Sequence, residues 1–73
     1  MEMKLQLGDL LYDNRYVGMI IGISTITLPF YKIQWYARGY SEADTIDECT
    51  EERTQRYRRA YLHARKHNEF KSW

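Results

Sequence analysis

The stretch GDLLYDNRYVGMIIGIS, residues 8–24, decides the fold of this chain, because its second half repeats with a period of two. Apolar side chains take every second position there: Val17, Met19, Ile21 and Ile23. This alternation is typical of a β-strand. Gly18 and Gly22 occupy two of the positions between, and glycines inside a strand indicate a bulge or a sharp bend. A strand that bends in this way fits the corner of a very small barrel.

Together with this strand, the sequence predicts three consecutive strands. The first covers LQLGDLLYD (residues 5–13), the second covers residues 16–25, and the third covers FYKIQWYA (residues 30–37). Asp13 and Asn14 favour a turn before the second strand, because their side chains bond to the backbone and tolerate the left-handed region. We expect Pro29 at the start of the third strand, where its missing N–H is tolerated.

The third strand has one face suited to the core. That face carries Tyr31, Ile33, Trp35 and Ala37, and the opposite face carries Phe30, Lys32, Gln34 and Tyr36. The next segment, RGYSEADTIDECT (residues 38–50), begins with a glycine turn. Thr45 and Glu48 have the spacing of a capping box, so a brief helical turn and a short strand both remain open there.

From Thr50 onward the pattern becomes helical. Thr50 is a good N-cap, and the carboxylates of Glu51 and Glu52 suit the positive end of the helix dipole. One stripe at helical spacing is expected to pack on the barrel: Tyr57, Ala60, Tyr61 and Ala64. A second stripe lies on another face: Arg56, Arg59, His63 and Lys66. We predict a mainly β protein with one amphipathic helix over about residues 51–68.

The whole chain of 73 residues is expected to form a single domain, with a small antiparallel barrel in residues 1–48 and a helical tail in residues 49–73. A domain of this size buries only about 60% of the surface that its unfolded chain exposes. The composition, 44% hydrophobic and 15% aromatic, favours a folded chain with large contact residues. A thin core with an aromatic excess favours contact with a partner protein.

The compartment follows from the lone cysteine, Cys49, which permits no intramolecular disulfide. Secreted domains of this length usually carry several disulfides. No signal-peptide pattern opens the sequence, and no apolar run approaches the roughly 18 residues of a membrane span. We therefore expect a reducing compartment and no membrane partner.

Several catalytic and metal-binding arrangements are disfavoured. His63 and His67 have chelating spacing, but the segment HARKH lacks the glutamate of a zinc-protease helix and brings two cations. Cys49 is surrounded by carboxylates, which disfavour a thiolate, so we expect a small apolar filler between barrel and helix. The acidic residues between 42 and 52 lack the pattern of a calcium loop, and no glycine-rich phosphate loop is present. We expect no enzyme activity, cofactor, metal or small-molecule substrate.

Aromatic and basic side chains suggest two kinds of binding site. The aromatic side chains of Tyr12, Tyr16, Trp35, Tyr36 and Tyr40 suggest a cage for a methylated amine. Trp35, however, falls on the expected core face, so packing is the preferred interpretation.

Nucleic-acid binding is the second candidate, because charge is divided unevenly along the chain. Residues 1–48 hold four basic and seven acidic side chains, and residues 49–73 hold seven basic and three acidic ones. The side chains that would neutralise phosphates are Arg56, Arg58, Arg59, Arg65 and Lys66. A net charge of only +1 ranks this hypothesis below protein contact.

Three motifs carry a family resemblance: Gly8-Asp9-Leu10-Leu11, residues 18–23, and Ile33-Gln34-Trp35. Their order resembles the short SH3-like (Tudor- or KOW-like) barrel proteins encoded by tailed bacteriophages. The resemblance covers about residues 6–48, and the arginine-rich helix lies outside it. It implies an SH3-like barrel over about residues 5–48 in a small phage structural or accessory protein.

The first functional hypothesis is therefore a non-enzymatic structural component of a phage particle. It would contact other phage structural proteins, or copies of itself, in the virion or in the host cytoplasm before assembly. The candidate interface residues are Tyr40, Arg56, Arg59, His63, Lys66, Phe70 and Trp73. The alternatives are a nucleic-acid-associated KOW- or Tudor-like accessory module and a phage-encoded inhibitor of a host protein.

Overall fold

A computed structural model describes residues 4–14, 16–37 and 43–67, with the backbone alone described at 37 and 43–45. Four strands precede one helix: β1 (Leu10–Asp13), β2 (Tyr16–Ser24), β3 (Phe30–Ala37), β4 (Ala43–Thr50) and α1 (Glu51–Lys66). The predicted bounds of β2, β3 and the helix are confirmed to within two residues. The undecided segment is a strand, because residues 43–50 pair with β3.

The four strands form one antiparallel sheet in the order β1-β2-β3-β4. Among the described residues β1 and β4 are not paired with each other, so the sheet is open and barrel closure is absent. The physical reason lies after Thr50, where the chain has helical periodicity instead of a returning strand. Helix α1 packs chiefly against β1 and supplies the cover that strand closure would have supplied.

The first strand is shorter than predicted, because residues 6–9 form a turn. The backbone N–H of Gln6 donates to the Asp9 carboxylate at 3.0 Å, and Gly8 adopts a φ of 87°. The segment still bonds to β2, with Gly8 N–H donating to the carbonyl of Ile20 at 2.8 Å and Ile20 N–H donating to Asp9 at 3.0 Å. The turn shortens the regular strand without detaching it from the sheet.

The core lies between the sheet and the helix. Its buried cluster comprises Leu5, Leu11, Ile20, Tyr31, Ile33, Trp35 and Cys49, with Tyr16 and Tyr57 packed against it. The predicted core face is confirmed for Tyr31, Ile33 and Trp35, and the side chain of its fourth member, Ala37, lies outside the described part of the chain. Cys49 is buried, as expected of a filler where the last strand meets the helix.

Both internal glycines of β2 have a structural role. A Cβ atom on Gly18 would come within 2.8 Å of Cε3 of Trp35, so the indole crosses β2 where a side chain is missing. The pairing with β3 shifts between Ile20 and Gly22, which leaves Ile21 as the inserted residue of a bulge. The bulge predicted from the glycines is therefore present near Gly22, and Gly18 serves close packing instead.

The helix begins as predicted. The Thr50 side chain accepts a hydrogen bond from the N–H of Arg53 at 3.4 Å, and Glu51 and Glu52 lie in the first turn. The predicted packing stripe is half-buried at Tyr57, Ala60 and Tyr61 and buried at Ala64. Thr54 and Gln55 are also buried, which the apolar stripe did not predict.

Candidate interaction surfaces

The predicted basic stripe of the helix is exposed. Arg56, Arg59, His63 and Lys66 all lie on the solvent side of α1, together with Arg65. Arg56 is 3.8 Å from the carboxylate of Glu52 one turn earlier, a surface ion pair of the kind that stabilises a helix only slightly. The ion pair with Glu52 therefore leaves the Arg56 side chain largely in solvent.

Arg58 does not belong to this surface, which corrects its place among the nucleic-acid candidates. Its guanidinium donates to the carbonyl of Leu10 at 3.0 Å and lies 4.0 Å from Asp9, with the side chain only 17% exposed. Since the carbonyl of Asp9 faces β2, the next carbonyl, that of Leu10, points to the free edge of β1. Arg58 thus satisfies an edge carbonyl and ties the helix to the sheet.

A group of exposed apolar side chains lies where β2 turns into β3. We call it the hairpin tip, and its exposed apolar side chains are Ile21, Ile23, Ile26, Leu28 and Phe30. Ile26 is 92% exposed and Leu28 is 71% exposed, although both are large aliphatic residues. Contiguous exposed apolar side chains mark binding surfaces more often than single ones do.

A groove lies at the base of the hairpin tip. It has a volume of about 300 Å³ and is lined by Ile21, Gly22, Ile23, Ser24, Phe30, Lys32 and Glu48. The inserted residue Ile21 forms part of its wall, so the bulge of β2 shapes the groove. The tip thus joins protruding aliphatic side chains to a concave surface whose lining is partly apolar and partly charged, through Lys32 and Glu48.

Sequence reasoning missed this surface, although a signal for it was present. Residues 16–31 contain no Asp, Glu, Lys or Arg, in a chain that is 29% charged. The apolar residues of this run fit strand alternation, and alternation alone does not show that the turn between the strands is exposed. Of the predicted interface residues, Tyr40, Phe70 and Trp73 lie outside the described residues.

The aromatic residues considered for a cage are divided between the two faces of the sheet. Tyr12 and Tyr36 lie on the face away from the helix, where both flank Val17 on neighbouring strands. Tyr16 and Trp35 lie on the core side, where the helix brings Tyr57 to them. The predicted set is therefore not assembled, and Tyr40 lies outside the described residues.

The remaining candidates for chemistry are Cys49 and the histidine pair of the helix. Burial, together with the negative charge of Asp47, raises the pKa of the Cys49 thiol to about 11, so the thiol stays protonated at neutral pH. The rings of His63 and His67 are 4.3 Å apart, and no third metal-ligating side chain joins them within residues 4–14, 16–37 and 43–67.

Over the same residues, no helix is both long and apolar enough to cross a bilayer.

No family model, curated protein or solved structure matches this chain. The function proposed below therefore depends on the surfaces themselves.

Proposed function

We propose that this protein is a non-enzymatic docking component of a phage particle that binds a larger structural protein through its hairpin tip. The observation that carries the proposal is the exposure of Ile26 and Leu28 in a run of 16 residues without charge. Leaving large aliphatic side chains in water forgoes about 1.5–3 kcal/mol for each one that a partner would bury. A partner that covers the tip recovers that free energy.

We propose further that the sheet is a variant of the short SH3-like barrel. Two features support this proposal: the four strands form a consecutive antiparallel meander, and β2 carries a bulge of the kind that bends a strand at a corner. In this variant the helix covers the core where a barrel would close by strand pairing.

The proposal is tested by quantitative mass spectrometry of purified phage particles, with the soluble fraction of the same lysate as a control. We expect a fixed number of copies per particle that survives a high-salt wash, because apolar contacts are not screened by salt. Ile26→Glu with Leu28→Glu should abolish incorporation, since it places two charges on the contact surface.

The matched control is Leu62→Glu, which changes an exposed leucine on the helix. It should leave incorporation unchanged, while circular dichroism checks that both variants fold. Wild-type protein found only in the soluble fraction would overturn the structural role and would favour an inhibitor of a soluble host protein.

The exposed basic side of the helix favours nucleic-acid binding as a second candidate function. It predicts that the affinity for a DNA or RNA oligonucleotide falls with salt concentration, and that Arg65→Gln lowers the slope of that dependence by about one. Arg58→Gln should lower stability and leave the slope unchanged, because Arg58 bonds to Leu10. Fluorescence anisotropy at several salt concentrations measures both effects, and absence of binding at low salt would exclude this function.

A further inference from the structure

A second concave site lies at the end of the sheet opposite the hairpin tip. It is a cavity of about 250 Å³ lined by Asp13, Tyr16, Trp35, Asp47, Arg53 and Tyr57. Three of its walls are aromatic and two of its side chains are carboxylates. Tyr57 meets Trp35 at nearly a right angle, with ring centroids 5.1 Å apart, so the two rings form adjoining walls.

The carboxylate of Asp47 is held in place by its own strand. One oxygen accepts a hydrogen bond from the N–H of Glu48 at 2.9 Å, and the other lies 3.6 Å from the Cys49 sulfur. Each carboxylate oxygen can accept more than one hydrogen bond, so Asp47 retains acceptor capacity. Asp13, at the end of β1, is exposed and adds a second negative charge.

Arg53 shows which cation these walls accept. Its guanidinium carbon lies 5.6 Å from the centre of the Tyr57 ring, and its Nε donates to the Tyr57 hydroxyl at 3.0 Å. The side chain is exposed, so Arg53 lies at the rim of the cavity. A guanidinium therefore already lies within cation–π range of one wall of the cavity and bonds to its hydroxyl.

We propose that this cavity binds the guanidinium of an arginine side chain from a partner protein. A guanidinium is planar, stacks on aromatic faces and donates hydrogen bonds to carboxylates, which matches both kinds of lining. An ammonium lacks the planar fork, and a trimethylated ammonium has no N–H to offer Asp13 or Asp47. Arg53 competes with the guest, because it carries the same charge and covers part of Tyr57.

The test is a titration of the full chain with N-acetyl-arginine methylamide, followed by two-dimensional NMR. The Trp35 indole signal should shift and saturate, and the lysine and trimethyllysine analogues should bind at least about threefold more weakly. Tighter binding of either analogue, or an unmoved Trp35 signal, would overturn the proposal.

Three substitutions in the cavity change its charge with little change in shape. Asp13→Asn and Asp47→Asn should each weaken arginine binding by about three- to tenfold, while Arg53→Gln should strengthen it by about threefold. The opposite sign for Arg53 separates competition at the rim from general loss of structure. Weaker binding in Arg53→Gln would contradict the proposal.

Matched controls are available on the same two elements. Glu48→Gln removes a carboxylate next to Asp47 on the other face of β4, and Arg56→Gln removes an exposed arginine one turn beyond Arg53. Both should leave arginine binding within twofold of the wild type. The site is independent of the hairpin tip, so Ile26→Glu with Leu28→Glu should also leave it intact, and either proposal can fail alone.

Discussion

The two ends of the β2–β3 hairpin differ in the side chains that they expose. Beyond Ser24 an uncharged turn exposes Ile26 and Leu28, whereas at Tyr16 and Ala37 the strands end beside aromatic rings and carboxylates. The ends are about 26 Å apart along β2, at roughly 3.3 Å per residue. One hairpin can therefore hold an apolar partner at one end and a cationic side chain at the other, with the core between them.

The difference follows from where the helix lies. Helix α1 starts directly after β4, crosses the core side of the sheet and packs on β1, which places Tyr57 beside Trp35. The hairpin tip receives no such cover from the helix, and its apolar side chains stay exposed. Cover by the helix thus makes one end part of the core and leaves the apolar side chains of the other end exposed.

The largest expected effect compares two aromatic residues at opposite ends of β3. Trp35→Ala should cost about 3–5 kcal/mol of unfolding free energy, because the indole is 6% exposed and fills the core. Phe30→Ala should cost about 1 kcal/mol, since that ring is 41% exposed. Urea denaturation followed by circular dichroism measures both values. Equal losses would show that the hairpin tip is part of the folded core and would remove it as a docking surface.

An intermediate effect compares the two glycines of β2. Gly18→Ala should cost about 1–3 kcal/mol, because its Cβ would lie 2.7 Å from Cγ2 of Ile33 and 2.8 Å from the Trp35 ring. Gly22→Ala should change stability by less than about 0.5 kcal/mol, since its Cβ would meet Lys32 at 3.4 Å, an ordinary contact. Melting temperatures should differ by roughly 4–8 °C for each 1 kcal/mol. A tolerated Gly18→Ala would mean that Trp35 moves freely, and the arginine site would then lose its fixed wall.

The smallest expected effect is the pH dependence of stability that arises from Cys49, which lies beside the cavity residue Asp47. The thiol pKa is raised to about 11, above the roughly 8.5 of an exposed thiol. The thiol therefore stays protonated to a higher pH in the folded state than in the unfolded state. The stability that the protonated Cys49 contributes is complete below about pH 8.5 and is lost as pH rises through 11. As pH rises from 7 to 10.5, the free energy of unfolding of the wild type should fall relative to that of Cys49→Ala, as measured by denaturation. A difference independent of pH would contradict burial of the thiol.

Local patterns were reliable wherever a single element decided them. Residue spacing predicted four features: the bounds of β3, the core face of β3, the Thr50 cap and the packing stripe of the helix. The alternation in β2 marked a strand but concealed its faces: Gly18 and Ile20 point to the core, while Met19 is half-buried and Ile21 is exposed. The bulge therefore divides the apolar register, because Val17 and Met19 pair with outer-face residues of β3 and Ile23 pairs with Tyr31 on the core face.

The interaction sites were harder to predict, because each combines residues that lie far apart in sequence. Arg58 looked like part of a basic stripe until its contact with Leu10, 48 residues away, placed it against the sheet. The cavity joins Asp13 and Tyr16 to Asp47, Arg53 and Tyr57, and no spacing rule connects these positions.

By itself the sequence determined that three consecutive strands precede a capped, arginine-rich helix, and that residues 16–31 carry no charge. These properties depend on backbone propensity and on side chains within a few positions of one another. Only the tertiary structure decided that the sheet stays open, that the uncharged turn is exposed, and that Trp35 and Tyr57 form a corner beside two carboxylates. Those outcomes depend on where the helix packs, and helix packing depends on contacts between segments that are far apart in the sequence.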